Sequence, residues 1–202
     1  MSSTPPQRLD LAFKGERTYL HGTDMYNAIL DFLGARHGRD GISGLDVSFH
    51  RMARRAVDLH DAPCPEAGQP VAVCAYRAGT DVRRIYLYES GDEVQGRRPY
   101  DEASLVAGMD TDRATLSGVW PGPSPYSDVE VWVALTKGLH QRVLPDLRGQ
   151  WLFARGQFPR VRRESGPGER RLRIVSNFQN RLTRTTLHHD GQDAGVIYFS
   201  LV

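Results

Sequence analysis

The segment ERTYLHGTDMYNAILDFL, residues 16–33, constrains the fold more than any other part of the chain. It opens with a short run at 17–20 whose β-branched and aromatic residues suit a strand. His21 and Gly22 interrupt this run, and Thr23 is placed to cap a helix with its hydroxyl. Apolar residues then recur at the spacing of one helix face, at Met25, Ile29, Phe32 and Leu33. The segment therefore predicts a strand that delivers a histidine to the start of a largely buried helix.

Length and composition exclude several classes of protein. The 202 residues suffice for one sizeable domain or two small ones, and 40% hydrophobic residues suffice for a folded core. No apolar run reaches the length of a membrane span, and the start, MSSTPPQRLD, lacks the apolar core of a signal peptide. Cys64 and Cys74 lie ten residues apart without metal-ligand spacing, as expected for ordinary thiols. We predict a cytoplasmic protein that does not bind a membrane.

Neither a metal nor another cofactor is predicted. The run His188-His189-Asp190 contains residue types that bind metals, but it lies at the end of a predicted strand. Neighbouring side chains on a strand point to opposite faces, so only alternate residues of this run could converge on one ion.

Positive charge is concentrated in the second half of the chain. The formal net charge is only +2, which is too small to indicate a nucleic-acid-binding protein. Residues 148–184, however, hold ten arginines and two glutamates. This stretch is either a solvated sheet face with a loop or a docking surface for an anionic partner.

The order of predicted elements suggests an internal repeat. In the first half a helix is followed by a strand at 45–51 and a hairpin at 71–77 and 82–89. In the second half a strand at 129–135, a short helix at 139–144 and a strand at 151–158 precede a second hairpin at 172–178 and 182–188. Residues 99–125 lack sustained periodicity and predict a connector with one short helix near 102–107. We therefore predict two repeats, residues 9–98 and 126–202, joined by this connector.

The segments GLDVSFHRMARRAVDL and PVAVCAYRAGTDVRRIYLYESGDEV, which follow the first helix, resemble the later strands of the hotdog superfamily. Together with the repeat, this resemblance implies an α+β fold of the double hotdog type. In that fold each of two copies wraps a curved antiparallel sheet around a central helix. The copies then pair into one continuous sheet.

The resemblance also implies a function, because hotdog proteins act mostly on acyl thioesters of coenzyme A or acyl carrier protein. His21 matches the histidine that precedes the first helix in hotdog dehydratases and acts there as a general base, and Asp24 is a second catalytic candidate. Substrate would be bound by Gly22, Asn27, His140, Arg160, Arg162 and Arg163. The dehydratase signature, a histidine followed by an aromatic residue, proline and glycine, is absent, and the second helix offers no evident acid partner.

Several alternatives stay open on the sequence alone. The enzyme would be a dehydratase or a thioesterase. A hotdog scaffold that binds an acyl chain or a partner protein without catalysis is the second hypothesis, in which His21 is a hydrogen-bonded structural residue. Nucleic acid is the least favoured partner. Pairing into a homo-oligomer is also left open.

Overall fold

The computed structural model describes residues 5–202. The sequence predicts a disordered tail at 1–8, of which residues 1–4 lie outside the described residues. The described part of the chain divides into two compact units, residues 5–100 and 101–202. None of the helices within 5–202 is long and apolar enough to cross a membrane.

The first unit contains one long helix and a set of mostly antiparallel strands. Short 3-10 turns at Arg39–Gly41 and Pro65–Ala67 connect some of these elements. In chain order, the helix and strands are β1 (Gln7–Arg8), β2 (Phe13–Lys14), α1 (Gly22–His37), β3 (Ile42–Phe49), β4 (Arg55–His60), β5 (Ala72–Ala78), β6 (Asp81–Glu93) and β7 (Arg97–Arg98).

Helix α1 confirms the buried helix predicted from the sequence. Met25, Ile29 and Leu33 are buried, and the helix packs against β3. The helix begins two residues earlier than a Thr23 cap would place it, because His21 occupies the N-cap position. The predicted strand at 17–20 is wrong: these residues are irregular.

Five antiparallel strands form the main sheet of the first unit. Their spatial order is β1-β4-β6-β5-β3, so β3, which follows the helix, pairs with β5. The predicted hairpin is confirmed as β5 and β6, which turn at Gly79 with φ +60°. Strand β1 lies within the predicted tail, and β2 pairs with β7 in a separate small sheet.

The second unit has two helices and six strands. In chain order, its elements are α2 (Glu102–Ala107), β8 (Asp110–Asp112), β9 (Ser117–Trp120), α3 (Asp128–Val143), β10 (Trp151–Phe158), β11 (Arg170–Phe178), β12 (Leu182–His189) and β13 (Gln192–Leu201).

Helix α3 corrects the largest error of the sequence analysis. The predicted strand at 129–135 and helix at 139–144 are parts of this single helix. The stripe of α3 that is not buried is narrow, at Glu130, Lys137 and Gln141, and the alternating valines at 129, 131 and 133 mimic a strand. Gly138 lies inside the helix, where a Cβ would come within 2.3 Å of Val106 on α2. Close packing of α2 on α3 therefore requires glycine there.

The predicted connector at 99–125 lies in the second unit from residue 101 onward. Its short helix is confirmed as α2, but the segment also holds β8 and β9. Strand β9 pairs antiparallel with β11 and extends the sheet. These strands have three and four residues, too few for alternation to be visible in the sequence.

The two units reach a similar arrangement by different connections. The second sheet has the spatial order β10-β13-β12-β11-β9-β8, so β10, which follows the helix, pairs with the last strand β13. In the first unit the corresponding partner is β5, the third strand after the helix. The two sheets therefore do not repeat strand by strand. The third and fourth strands after the long helix occupy exchanged positions in the two sheets.

Candidate functional site

His21 lies at the N-terminus of α1. Its backbone is extended, with φ −75° and ψ 137°, and its ring is buried. Nδ1 lies 2.6 Å from the hydroxyl oxygen of Thr23, and the ring centroid lies 6.2 Å from that of Tyr100. The imidazole is therefore held in one orientation beside the first turn of the helix.

Lys14, which the sequence analysis missed, is buried next to His21. Its ammonium donates to Asp24 Oδ1 at 2.7 Å and to Thr23 Oγ1 at 3.3 Å. It also lies 4.6 Å from the centroid of the Tyr100 ring, within the range of a cation–π contact. Burying a lysine is costly unless its charge is compensated, which these three contacts achieve. Lys14 could not be predicted, because a strand of two residues is too short to show any periodic pattern in the sequence.

The other first-unit candidates lie on the same helix. Gly22 is its first residue, and the leading N–H groups of any α-helix have no carbonyl partner inside the helix. Asp24 lies in the first turn, and its carboxylate accepts from Lys14. Asn27 is buried one turn further on. The structure thus brings Gly22 and Asp24 to the same helix end as His21.

His140 lies in the second unit and is fully buried in α3. Its Nδ1 lies 2.6 Å from the carbonyl oxygen of Thr136, to which an N–H must donate. Nε2 then accepts from the hydroxyl of Thr183, also at 2.6 Å. Burial lowers the pKa of His140 to about 4, which keeps the ring neutral. Both ring nitrogens are thereby engaged, Nδ1 within α3 and Nε2 between α3 and β12.

The stability of the protein should fall below pH 6.5 because of His140. An unfolded histidine titrates near 6.5, and the folded pKa is about 4, so the contribution is fully present above 6.5 and is lost as pH falls through 4. The loss should reach about 3 kcal/mol in the free energy of unfolding. Urea unfolding from pH 7 to pH 4 should show this slope, and His140→Gln should flatten it. An unchanged slope in the variant would contradict the assignment.

The N-terminus of α3 is capped by its own sequence. The carboxylate of Glu130 accepts from the backbone N–H of Ser127 at 2.8 Å and from its hydroxyl at 2.6 Å. The N–H of Asp128 donates to the carbonyl of Arg163 at 3.3 Å. The loop between β10 and β11, residues 159–169, carries the predicted arginines and therefore lies against this helix end.

Asp128 and Arg170 form a buried ion pair beneath this loop. Arg170 Nη2 lies 2.9 Å from Asp128 Oδ1, and Trp132 Nε1 donates to Asp128 Oδ2 at 3.1 Å. The guanidinium of Arg170 is fully buried between the rings of Trp120 and Trp132, at 5.5 and 5.4 Å. The pair could not be predicted from the sequence, because 42 residues separate Asp128 from Arg170 and no local pattern joins them.

The predicted arginines Arg160, Arg162 and Arg163 lie on this loop. Arg160 and Arg162 are exposed, and Arg162 donates to His189 Nδ1 at 2.8 Å. A cavity of about 170 Å³ opens beside them. It is lined by Asp128, Arg160, Arg162, His189, Asp190, Gln192, Asp193 and Ala194. Its lining thus carries both signs of charge.

Within residues 5–202 no group of three or more histidine, cysteine or acidic residues could hold a metal ion. His188 and His189 illustrate the reason, because one is exposed and the other buried on opposite faces of β12.

Comparison of the structure with solved structures identifies the fold. The dehydratase domain of PpsC from Mycobacterium tuberculosis, solved in complex with C12:1-CoA, matches with a TM-score of 0.52 at 9% identity, over 91% of this chain and 85% of that one. A protein assigned as a thioesterase II from Thermobifida fusca matches with a TM-score of 0.50 at 8% identity, over 93% and 89%. No protein-family model matches the sequence, and a search of curated proteins finds no match either.

These likenesses concern the fold. At 8–9% sequence identity the shared feature is the path of the backbone. The similarity of the backbone extends over more than nine tenths of this protein. The resemblance to the hotdog superfamily inferred from the sequence is confirmed at this level. The chain has a mostly antiparallel hotdog-type fold with few helices.

Proposed function

We propose that this hotdog-fold protein binds an acyl thioester at the N-terminus of α1 and acts on it. The observation that carries the proposal is the buried imidazole of His21 at the start of a buried helix. A thioester carbonyl oxygen becomes more negative as its carbon is attacked or as the adjacent carbon loses a proton. A helix N-terminus and an imidazole are both suited to stabilise that charge.

The acyl group would be carried by coenzyme A or by an acyl carrier protein. One protein of similar fold, the PpsC dehydratase domain, was solved with an acyl-CoA bound. The proposal extends this class of ligand to the present chain on two grounds, the common fold and the histidine at a helix N-terminus. Gly22 and Asn27 would then contact the substrate near the thioester.

We also propose that the two units are the two modules of a double hotdog. Each unit has one long helix followed by four strands of its main sheet, which supports the proposal. The different pairing of the middle strands means that the modules share an arrangement without sharing every connection.

The reaction would be hydrolysis of the thioester or removal of water from a 3-hydroxyacyl group. Both reactions are tested on one panel of acyl-CoA and 3-hydroxyacyl-CoA substrates of increasing chain length. Release of free thiol reports hydrolysis, and formation of the enoyl thioester, seen by its absorbance, reports dehydration. Direct titration with the same ligands, using coenzyme A as the control, measures binding separately. Absence of binding across the panel would overturn the proposal.

A non-catalytic scaffold is the second candidate. The observation that favours it is the ion pair between Asp24 and Lys14, which engages the predicted second catalytic carboxylate. A scaffold would bind acyl-CoA more tightly than coenzyme A without releasing thiol or forming an enoyl product. The same panel therefore separates the two candidates.

The arginines of the loop should affect binding of an anionic carrier. Changing Arg160, Arg162 and Arg163 to glutamine should weaken binding of acyl-CoA about tenfold at low salt and little near 1 M salt, where charges are screened beyond about 3 Å. A matched control changes three exposed arginines elsewhere in the second unit, Arg148, Arg173 and Arg181. Equal weakening of acyl-CoA binding in the two triple variants would mean that the net charge, and not the position of the loop arginines, causes the effect.

A further inference from the structure

The hydroxyl of Thr23 links a lysine to the histidine of the proposed site. Thr23 is fully buried, and among the described residues its oxygen has two hydrogen-bond partners, Lys14 Nζ at 3.3 Å and His21 Nδ1 at 2.6 Å. A hydroxyl has one hydrogen to donate and two lone pairs that accept. The roles of the three groups can therefore be assigned.

Lys14 fixes the direction of these hydrogen bonds. An ammonium has only hydrogens to offer, so Lys14 donates to the oxygen of Thr23. The hydrogen of Thr23 must then point to an acceptor, and of its two partners only His21 Nδ1 has a lone pair to offer. Protonation of Nδ1 would instead leave the buried hydrogen of Thr23 without an acceptor, an arrangement that proteins rarely tolerate.

We infer that Lys14 and Thr23 are positioning residues that keep Nδ1 of His21 unprotonated, so that the neutral ring carries its proton on Nε2. In this tautomer Nε2 is a hydrogen-bond donor and not a base. The inference rests on the proposed function for its consequence: His21 would donate to the carbonyl oxygen of the bound thioester. The role differs from the general base expected from the resemblance to dehydratases.

The tautomer has a consequence for the class of substrate. A donor at Nε2 stabilises a ligand only if the ligand has an acceptor oxygen in reach. The site should therefore prefer a thioester over the corresponding thioether, which has the same chain and carrier but no carbonyl. One hydrogen bond predicts a preference of about two- to tenfold.

The test is the protonation state of each His21 nitrogen, measured by nitrogen NMR on the full chain with labelled histidine. The His21 signals are assigned by their loss in His21→Gln. In the unchanged protein at neutral pH, Nε2 should carry the hydrogen and Nδ1 should not. Thr23→Ser keeps the hydroxyl and should give the same result. Thr23→Val removes it, and the ratio of Nε2–H to Nδ1–H forms should fall about fivefold.

Two outcomes would overturn the inference. The first is a protonated Nδ1 in the unchanged protein, a measurement that requires no variant to fold. The second is an identical tautomer ratio in Thr23→Val and Thr23→Ser. Lys14→Met supplies an independent variant, because the hydroxyl of Thr23 is then no longer directed and the ratio should again fall.

The ligand arm compares acyl-CoA with its thioether in titrations of the unchanged protein and of Thr23→Val. The expected preference for the thioester should shrink in Thr23→Val. If neither ligand binds, the proposed function fails while the tautomer result stands. If both bind equally and Nε2 carries the proton, the proposed function stands and the donor role is wrong.

Discussion

Replacing His21 with alanine is expected to lower acyl-thioester turnover about 10²–10³-fold, the usual cost of removing one donor to a developing oxyanion. The loss should appear in turnover measured per folded molecule. The variant should also lose about 1–3 kcal/mol of stability, because the buried hydroxyl of Thr23 loses the imidazole nitrogen that accepts its hydrogen. Turnover and thermal unfolding are measured on the same preparation, at a temperature well below the midpoint.

A matched control for this variant is His188→Ala. His188 is an exposed histidine on β12, so its removal should leave turnover and stability close to those of the unchanged protein. A destabilised His21→Ala protein that retains full activity per folded molecule would assign His21 a structural role. Catalysis would then depend on other residues, and the proposed role of His21 would be wrong.

Replacing Arg170 with methionine is expected to destabilise the second unit by about 3–5 kcal/mol. The substitution removes the cation and leaves the buried Asp128 carboxylate without its charge partner. The midpoint of thermal unfolding should fall by roughly 10 °C for a chain of this size. Tryptophan fluorescence follows the transition, since Trp120 and Trp132 flank the guanidinium.

Two further variants test the cause of that effect. Arg171→Met changes the next residue, whose side chain is exposed and pairs with Glu169, and should cost little. Adding Asp128→Asn to Arg170→Met removes the unpaired charge while keeping an acceptor for Trp132, so part of the stability should return. Equal stability of Arg170→Met and Arg171→Met would contradict the importance of the buried pair.

The sequence was sufficient to predict elements with a clear polar face. Helix α1 and the hairpin of β5 and β6 were predicted because buried and exposed positions alternate with the period of the element. Helix α3 was not, because its stripe of residues that are not buried is narrow and the alternating valines in its first half favour a strand. The short strands β8 and β9 were missed because pairing with β11 stabilises them and no local pattern does.

The candidate site was predicted in part. His21 stood out by its position before a helix, and Gly22 and Asp24 follow it in the sequence. Lys14 did not, since its contact with Thr23 depends on how residues 15–22 fold back onto the helix start. A sequence pattern reports which residues lie near each other along one helix or strand. The hydrogen bonds that set the His21 tautomer include one between different elements, from Lys14 on β2 to Thr23 on α1.

The central claim is that the N-terminus of α1 binds the thioester carbonyl. The most direct measurement is a crystal structure with an acyl-CoA analogue in which a methylene replaces the thioester sulfur, so that the carbonyl is kept and cannot be cleaved. The account predicts the carbonyl oxygen about 3 Å from Nε2 of His21, at the start of α1. An analogue whose carbonyl oxygen contacts neither His21 nor the first turn of α1 would contradict it.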